Sequence, residues 1–174
     1  RYGDTTFGRG ALLARKLVET GVRFVQINRG GFDTHSNNFP AMRAHGEVMD
    51  PALASLIADL AQSGLLKKTL IVMLSEFGRT PKIRHQDKAT KRPGRDHWAR
   101  SMSIFLSGGG LNMGQVVGAT NSRGEDPVRR VMNSNCLLST VYNRFGINTD
   151  HHFYDNTGRP VPILTDGEPI RELL

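Results

Sequence analysis

The sequence predicts an α/β protein whose mainly parallel sheet is flanked by helices. Apolar runs at 22–28 and 70–74 predict two strands, and a segment of helical length lies between them. Strand, helix and strand in that order favour a parallel pair joined by a right-handed crossover. A chain of 174 residues is long enough to bury its own core. We therefore expect residues 1–174 to form a single domain.

The first predicted helix precedes the first strand. Thr5 can cap its beginning, and its apolar residues fall on one side until about Thr20. Gly21 can end it, because glycine adopts the left-handed conformation that closes many helices. The strand at 22–28 should follow directly.

The second predicted helix connects the two strands. Pro40 can occupy its first turn, Pro51 should kink or restart it, and Gly64 should end it. Apolar residues recur in the spacing of a core-facing helical stripe, at Leu53, Leu56, Ile57 and Leu60. The unbroken apolar run at 70–74 then predicts a strand covered on both faces.

The second half of the chain is rich in turns. Residues 75–100 form a long polar segment, and a loop of that length in a compact domain is usually functional or disordered. Beyond it we expect strands at 102–106, 115–119 and 161–164, a helix at 134–145 and the start of another at 168–174.

Composition narrows the class of protein. No apolar run is long enough to span a membrane, and a single cysteine, Cys136, excludes an internal disulfide. The net charge of +7 invites a nucleic-acid partner. The basic residues are dispersed, however, and their densest patch, 82–100, has no helical period and only Trp98 as an aromatic platform. An anionic substrate or a solvated loop explains that patch better.

Polar side chains cluster near the ends of the predicted strands. Asp33 and His35 follow the first strand, Glu76 follows the second, and His97 precedes the third. Ligands of open parallel sheets gather at the carboxyl ends of the strands. Two carboxylates and two imidazoles that converge there would suit zinc or manganese.

Two arginines could complete such a site. Arg79 and Arg95 would hold a tetrahedral oxyanion, because a guanidinium matches phosphate or sulfate with paired hydrogen bonds. Simpler interpretations stay open. Asp33 can be a turn residue, Glu76 can pair with Arg79, and His97 can be a packed histidine. His45, in the middle of a helix, is interpreted as a surface residue.

Five motifs in fixed order give the chain a family resemblance. They are RGALLAR at 9–15, GFDTH at 31–35, SEFGRTPK at 75–82, GRDHW at 94–98 and GRPVPIL at 158–164. With these motifs the chain resembles the sulfatase-like bacterial family called domain of unknown function fifteen-oh-one. The resemblance covers nearly the whole chain. It implies a branch of the alkaline phosphatase superfamily, usually exported, with a location in the periplasm or outside the cell.

The resemblance also implies a site. Asp33 and His35 would match an Asp–His pair on one metal, Glu76 an acid after the next strand, and His97 the histidine that closes the site. The ion would be zinc, manganese or calcium. Phe77 departs from the pattern, since phosphatases of the superfamily often carry a second ligating histidine there.

The function implied is metal-dependent hydrolysis of sulfate or phosphate esters through a nucleophile. Members of this family are longer, so we expect this chain to be the carboxy-terminal part of a larger sulfatase-like domain. It should lack the nucleophile and turn over poorly alone. The alternative is a non-catalytic exported binding protein of the same fold. A partial domain would leave an edge uncovered, so self-association is also expected.

Overall fold

The computed structural model describes residues 1–85 and 92–174. The chain divides into two compact units, a first unit of residues 1–108 and a second of residues 109–174. The predicted parallel sheet is wrong. All strand pairs in the described ranges are antiparallel, and each sheet contains two short strands.

Two helices dominate the first unit. Helix α1 spans Thr6–Glu19, and the Thr5 hydroxyl caps it by accepting a hydrogen bond from the Gly8 amide at 3.0 Å. This confirms the predicted helix and its cap. Helix α2 spans Asn38–Gln62 and continues through Pro51 as one helix, so the predicted restart does not occur. Its residue Leu60 is almost fully buried, which is worth about 1.5–3 kcal/mol for a leucine side chain.

The core of the first unit lies between these helices. Ala11 of α1 and Ala52 of α2 are completely buried, and small side chains at such positions let helices approach closely. Tyr2 packs against the same cluster, and its hydroxyl donates to Asp59 of α2 at 2.9 Å. Residues 22–28 follow α1 without forming a strand, so the first half of the predicted parallel pair is missing.

The remaining described residues of the first unit contain two antiparallel strand pairs. Strand β1 spans Leu70–Met73, β2 Gly78–Arg79, β3 His97–Trp98 and β4 Phe105–Gly108. Strand β1 pairs with β4 and β2 with β3, and Arg84 bridges Gly94 near the far end. The described residues of the predicted long loop therefore form an antiparallel excursion with two arms. Residues 75–85 are its outgoing arm and residues 92–100 its returning arm. Parallel strands are usually joined by a crossover helix, and the described residues between β1 and β4 form none, which is the physical reason for the error.

This excursion also changes the predicted strand bounds. Strand β4 begins three residues later than the strand predicted at 102–106. Val72 and Met73 of β1 are each more than a third exposed, so β1 is not covered on both faces as predicted.

The second unit combines short hairpins with one helix. Strand β5 spans Ala119–Thr120 and pairs with β6, Pro127–Arg129, across an irregular register. Helix α3 spans Ser134–Arg144, as predicted, although its cap is Asn133, whose side chain accepts from the Cys136 amide. Strand β7, His152–Tyr154, pairs with β8, Pro160–Pro162.

The end of the chain packs in this second unit. A 3-10 turn spans Arg171–Leu173, where the sequence predicted the start of a helix. The buried Thr140 hydroxyl accepts from the Ile170 amide at 2.8 Å and donates to the Cys136 carbonyl at 2.7 Å. In the described residues, no helix is both long enough and apolar enough to cross a bilayer.

Candidate metal centre

The segment that carries Asp33 and His35 is hydrogen-bonded to the returning arm of the hairpin excursion. The Arg95 amide donates to the Thr34 carbonyl at 3.1 Å, and the Asn38 amide donates to the Pro93 carbonyl at 3.0 Å. Thr34 is buried, and its hydroxyl accepts from the Asn38 side chain at 2.6 Å. Two segments about sixty residues apart in sequence are thereby held side by side.

Gly94 makes this close approach possible. The residue is buried, and a Cβ at its position would lie 2.6 Å from the Ser36 nitrogen and closer still to the His35 carbonyl. No side chain fits there, so the two backbones meet directly. The side chains on either side of the contact are then brought together.

Asp33, His35 and His97 converge. Asp33 Oδ1 lies 3.0 Å from His35 Nε2 and 2.9 Å from His97 Nε2. One donor atom from each residue lies within 4.8 Å of the other two. Arg79 also donates to Asp33 Oδ1, at 2.8 Å. The Asp33 carboxylate therefore contacts two imidazoles and a guanidinium, and its predicted turn role stays a prediction.

Asp96 contacts the ring nitrogen of His35 that does not face Asp33. Its Oδ1 lies 2.7 Å from His35 Nδ1 and accepts from Arg84 at 2.9 Å. The Asp96 backbone amide donates to the Thr80 hydroxyl at 3.1 Å. Histidines that bind metals usually present their second ring nitrogen to such a carboxylate, which fixes the ring and its tautomer. Sequence reasoning missed this role, although an acid beside the candidate ligand His97 was a usable signal.

The His97 ring packs against two other rings. The His35 ring centroid lies 4.7 Å away and the Phe77 centroid 4.4 Å away. Phe77 is the residue at which the sequence departs from the pattern that the resemblance implies. In this chain Phe77 instead packs against a ligand candidate and restricts the orientation of its ring.

Both carboxylates are held in the charged form. Hydrogen bonds from His97 and then from Arg79 lower the pKa of Asp33 to about 2. Hydrogen bonds from His35 and then from Arg84 lower the pKa of Asp96. Metal binding requires deprotonated ligands, so these carboxylates are ready for it at neutral pH without losing a proton.

Two predicted site residues lie in other surroundings. Glu76 is exposed and does not belong to the described group of donor atoms. The Arg95 side chain donates to the carbonyls of Thr80 and Pro81, at 2.8 and 3.3 Å, and its guanidinium lies 6.0 Å from the Phe39 ring centroid. These contacts join the two arms of the excursion. The roles predicted for Glu76 and Arg95 stay predictions.

The donor set fits a divalent ion of intermediate softness. One carboxylate and two imidazoles are the protein ligands of many catalytic zinc sites, which keep a fourth position open. Donors of a tetrahedral zinc ion stand about 3.3 Å apart, given metal–ligand distances of 2.0–2.2 Å. Asp33 Oδ1 lies 2.9 Å from His97 Nε2 and 3.0 Å from His35 Nε2, so these two separations need to widen by only a few tenths of an ångström.

Fold and cluster together define a chain with a two-helix core, an antiparallel excursion and a donor group of the kind that binds divalent metals. The family described as Protein of unknown function (DUF1501) matches residues 1–174, and the chain belongs to that family. Comparison with curated proteins and with solved structures gave no match.

Proposed function

We propose that this chain carries the metal-binding part of a sulfatase- or phosphatase-like hydrolase of the alkaline phosphatase superfamily. The observation that carries the proposal is the convergence of Asp33, His35 and His97, with Asp96 behind His35. These residues come from segments that the family resemblance singled out. A divalent ion held there would polarise an ester oxygen and stabilise the negative charge that develops on it.

Arg79 is the residue proposed to hold the oxyanion. Its guanidinium donates one hydrogen bond to Asp33 and one to the Arg95 carbonyl. A guanidinium has five N–H donors, so three remain for a sulfate or phosphate oxygen. The side chain keeps 20% of its exposure, which leaves it accessible beside the cluster.

Two hydroxyls near the cluster, those of Thr34 and Ser75, are already hydrogen-bonded. Thr34 is buried against Asn38, and the Ser75 hydroxyl donates to the Phe77 carbonyl at 3.0 Å. Neither is placed as a nucleophile, which supports the expectation that this chain alone turns over poorly. Metal and oxyanion binding are therefore the properties to measure first.

The experiment loads the purified chain with zinc or manganese and then titrates it with inorganic phosphate or sulfate. We expect about one ion per chain, lost in Asp33→Ala and His97→Ala. His152→Ala, an exposed histidine in the second unit, is the matched control and should keep the ion.

Oxyanion binding tests the hydrolase part of the proposal. Phosphate or sulfate should bind the metal-loaded chain, and Arg79→Gln should weaken that binding while leaving the metal content unchanged. Metal binding without any oxyanion affinity would contradict an ester hydrolase and favour the alternative, a non-catalytic binding protein. Brisk turnover of aryl phosphate or sulfate esters by this chain would contradict the missing-nucleophile expectation.

A further inference from the structure

His45 of α2 is hydrogen-bonded through both ring nitrogens. Arg29 Nε donates to His45 Nδ1 at 3.0 Å, and His45 Nε2 lies 2.9 Å from the Gly31 carbonyl. The Phe32 ring stacks on the imidazole with centroids 4.1 Å apart and planes only 14° from parallel. The sequence led us to interpret this histidine as a surface residue, but its side chain is half-buried and contacts three residues of the segment 29–32.

The partners of His45 indicate its tautomer. An arginine guanidinium can only donate, so His45 Nδ1 must accept with a lone pair. The ring hydrogen then lies on Nε2 and is donated to the Gly31 carbonyl. The neutral imidazole supplies one acceptor and one donor, and both are used on the segment 29–31.

The position of the segment 29–31 depends on side-chain contacts like those with His45. Residues 22–31 form no strand, so no sheet hydrogen bonds hold them in the described structure. Gly31 has a φ of +93°, and a Cβ there would lie 3.2 Å from His45 Cε1. The imidazole therefore packs closely against a left-handed backbone conformation at Gly31 that other residues would strain. Asp33 follows Gly31 by two residues.

We propose that His45 is a positioning residue for Asp33. It fixes the segment 29–32 onto α2, so that the Asp33 carboxylate reaches His35 and His97. The inference rests on the proposed metal centre, and it adds a residue that contacts none of the three candidate ligands directly. It predicts that metal affinity depends on a hydrogen-bonded side chain in the middle of α2.

Two variants separate hydrogen bonding from packing. His45→Gln keeps one acceptor and one donor, whereas His45→Phe keeps a ring that can stack on Phe32 and removes both hydrogen bonds. We expect His45→Phe to weaken zinc binding by up to about 10-fold, because losing a residue that hydrogen-bonds a ligand directly costs about 10- to 100-fold and His45 acts one step further out. His45→Gln should bind zinc more tightly than His45→Phe, because it keeps one acceptor and one donor. His152→Phe is the control and should change nothing.

A metal-free measurement keeps the inference testable on its own. Amide hydrogen exchange should quicken at Thr34 and Arg95 in His45→Phe, because these amides join the Asp33 segment to itself and to the returning arm. Unchanged exchange together with unchanged zinc affinity would overturn the inference. If the parent chain binds no zinc, the proposed function fails, and the exchange data alone decide whether His45 positions the segment.

Discussion

Gly94→Ala is the substitution that should disturb the candidate centre most directly without touching any of its polar groups. The new Cβ would lie 2.6 Å from the Ser36 nitrogen and closer to the His35 carbonyl. Ordinary contact between such atoms is about 3.5 Å. The segment with Asp33 and His35 must therefore move away from the returning arm by more than about 1 Å.

The size of the effect follows from that movement. Forcing an extra methyl group into a packed site costs about 1–3 kcal/mol. Loss of one flanking hydrogen bond, such as Arg95 amide to Thr34 carbonyl, adds about 1 kcal/mol. We expect the free energy of unfolding to fall by about 2–4 kcal/mol, which corresponds to a melting temperature lower by roughly 5–15 °C.

The assay compares Gly94→Ala with Gly30→Ala. Gly30 lies in the same stretch, nothing is within 4 Å of a Cβ built there, and its φ is not in the left-handed region. Urea denaturation and zinc titration are measured for both variants. Gly94→Ala should lose stability and zinc affinity, while Gly30→Ala should match the parent. Equal behaviour of the two variants would refute the close packing of the two segments.

Three further predictions address other contacts. Burial and a hydrogen bond to Asp59 raise the pKa of Tyr2 to about 12. The free energy of unfolding should therefore be retained below pH 10 and fall by about 2–3 kcal/mol as the pH rises to 12. Tyr2→Phe should flatten that decline in alkaline denaturation curves. The hydrogen bonds from Arg130 lower the pKa of Glu172 to about 2, so their contribution to stability should be present above about pH 4.5 and disappear towards pH 2. Arg130→Gln should remove this acid dependence, and an unchanged acid denaturation curve would contradict it. Asp96→Asn should weaken zinc binding about 10- to 100-fold in calorimetry, and unaltered affinity would show that this carboxylate has no supporting role.

Local signals in the sequence predicted the helices well. Thr5 caps α1 as predicted, and Ser134–Arg144 forms α3 within a residue of the predicted range. Such signals depend on neighbouring residues alone. The direction of strand pairing does not, because it depends on where the chain goes between the strands. Residues 75–100 look like a loop in sequence, but their described parts pair β2 with β3, and β4 beyond them returns along β1 in the antiparallel sense.

The candidate centre, too, was predicted from the sequence only in part. Residue chemistry singled out Asp33, His35 and His97, and the structure brings them together. Asp96 and His45 were missed because their roles depend on partners about sixty residues away in one case and sixteen in the other. Sequence spacing cannot show which carboxylate faces the second nitrogen of a histidine.

The most direct test of the candidate centre is anomalous scattering from crystals of this chain soaked in zinc or manganese. We predict one strong peak about 2.0–2.2 Å from Asp33 Oδ1, His35 Nε2 and His97 Nε2. The same peak should be missing from Asp33→Ala crystals soaked in the same way. A fully soaked parent crystal with no peak between these three atoms, or with its metal bound elsewhere, would contradict the account.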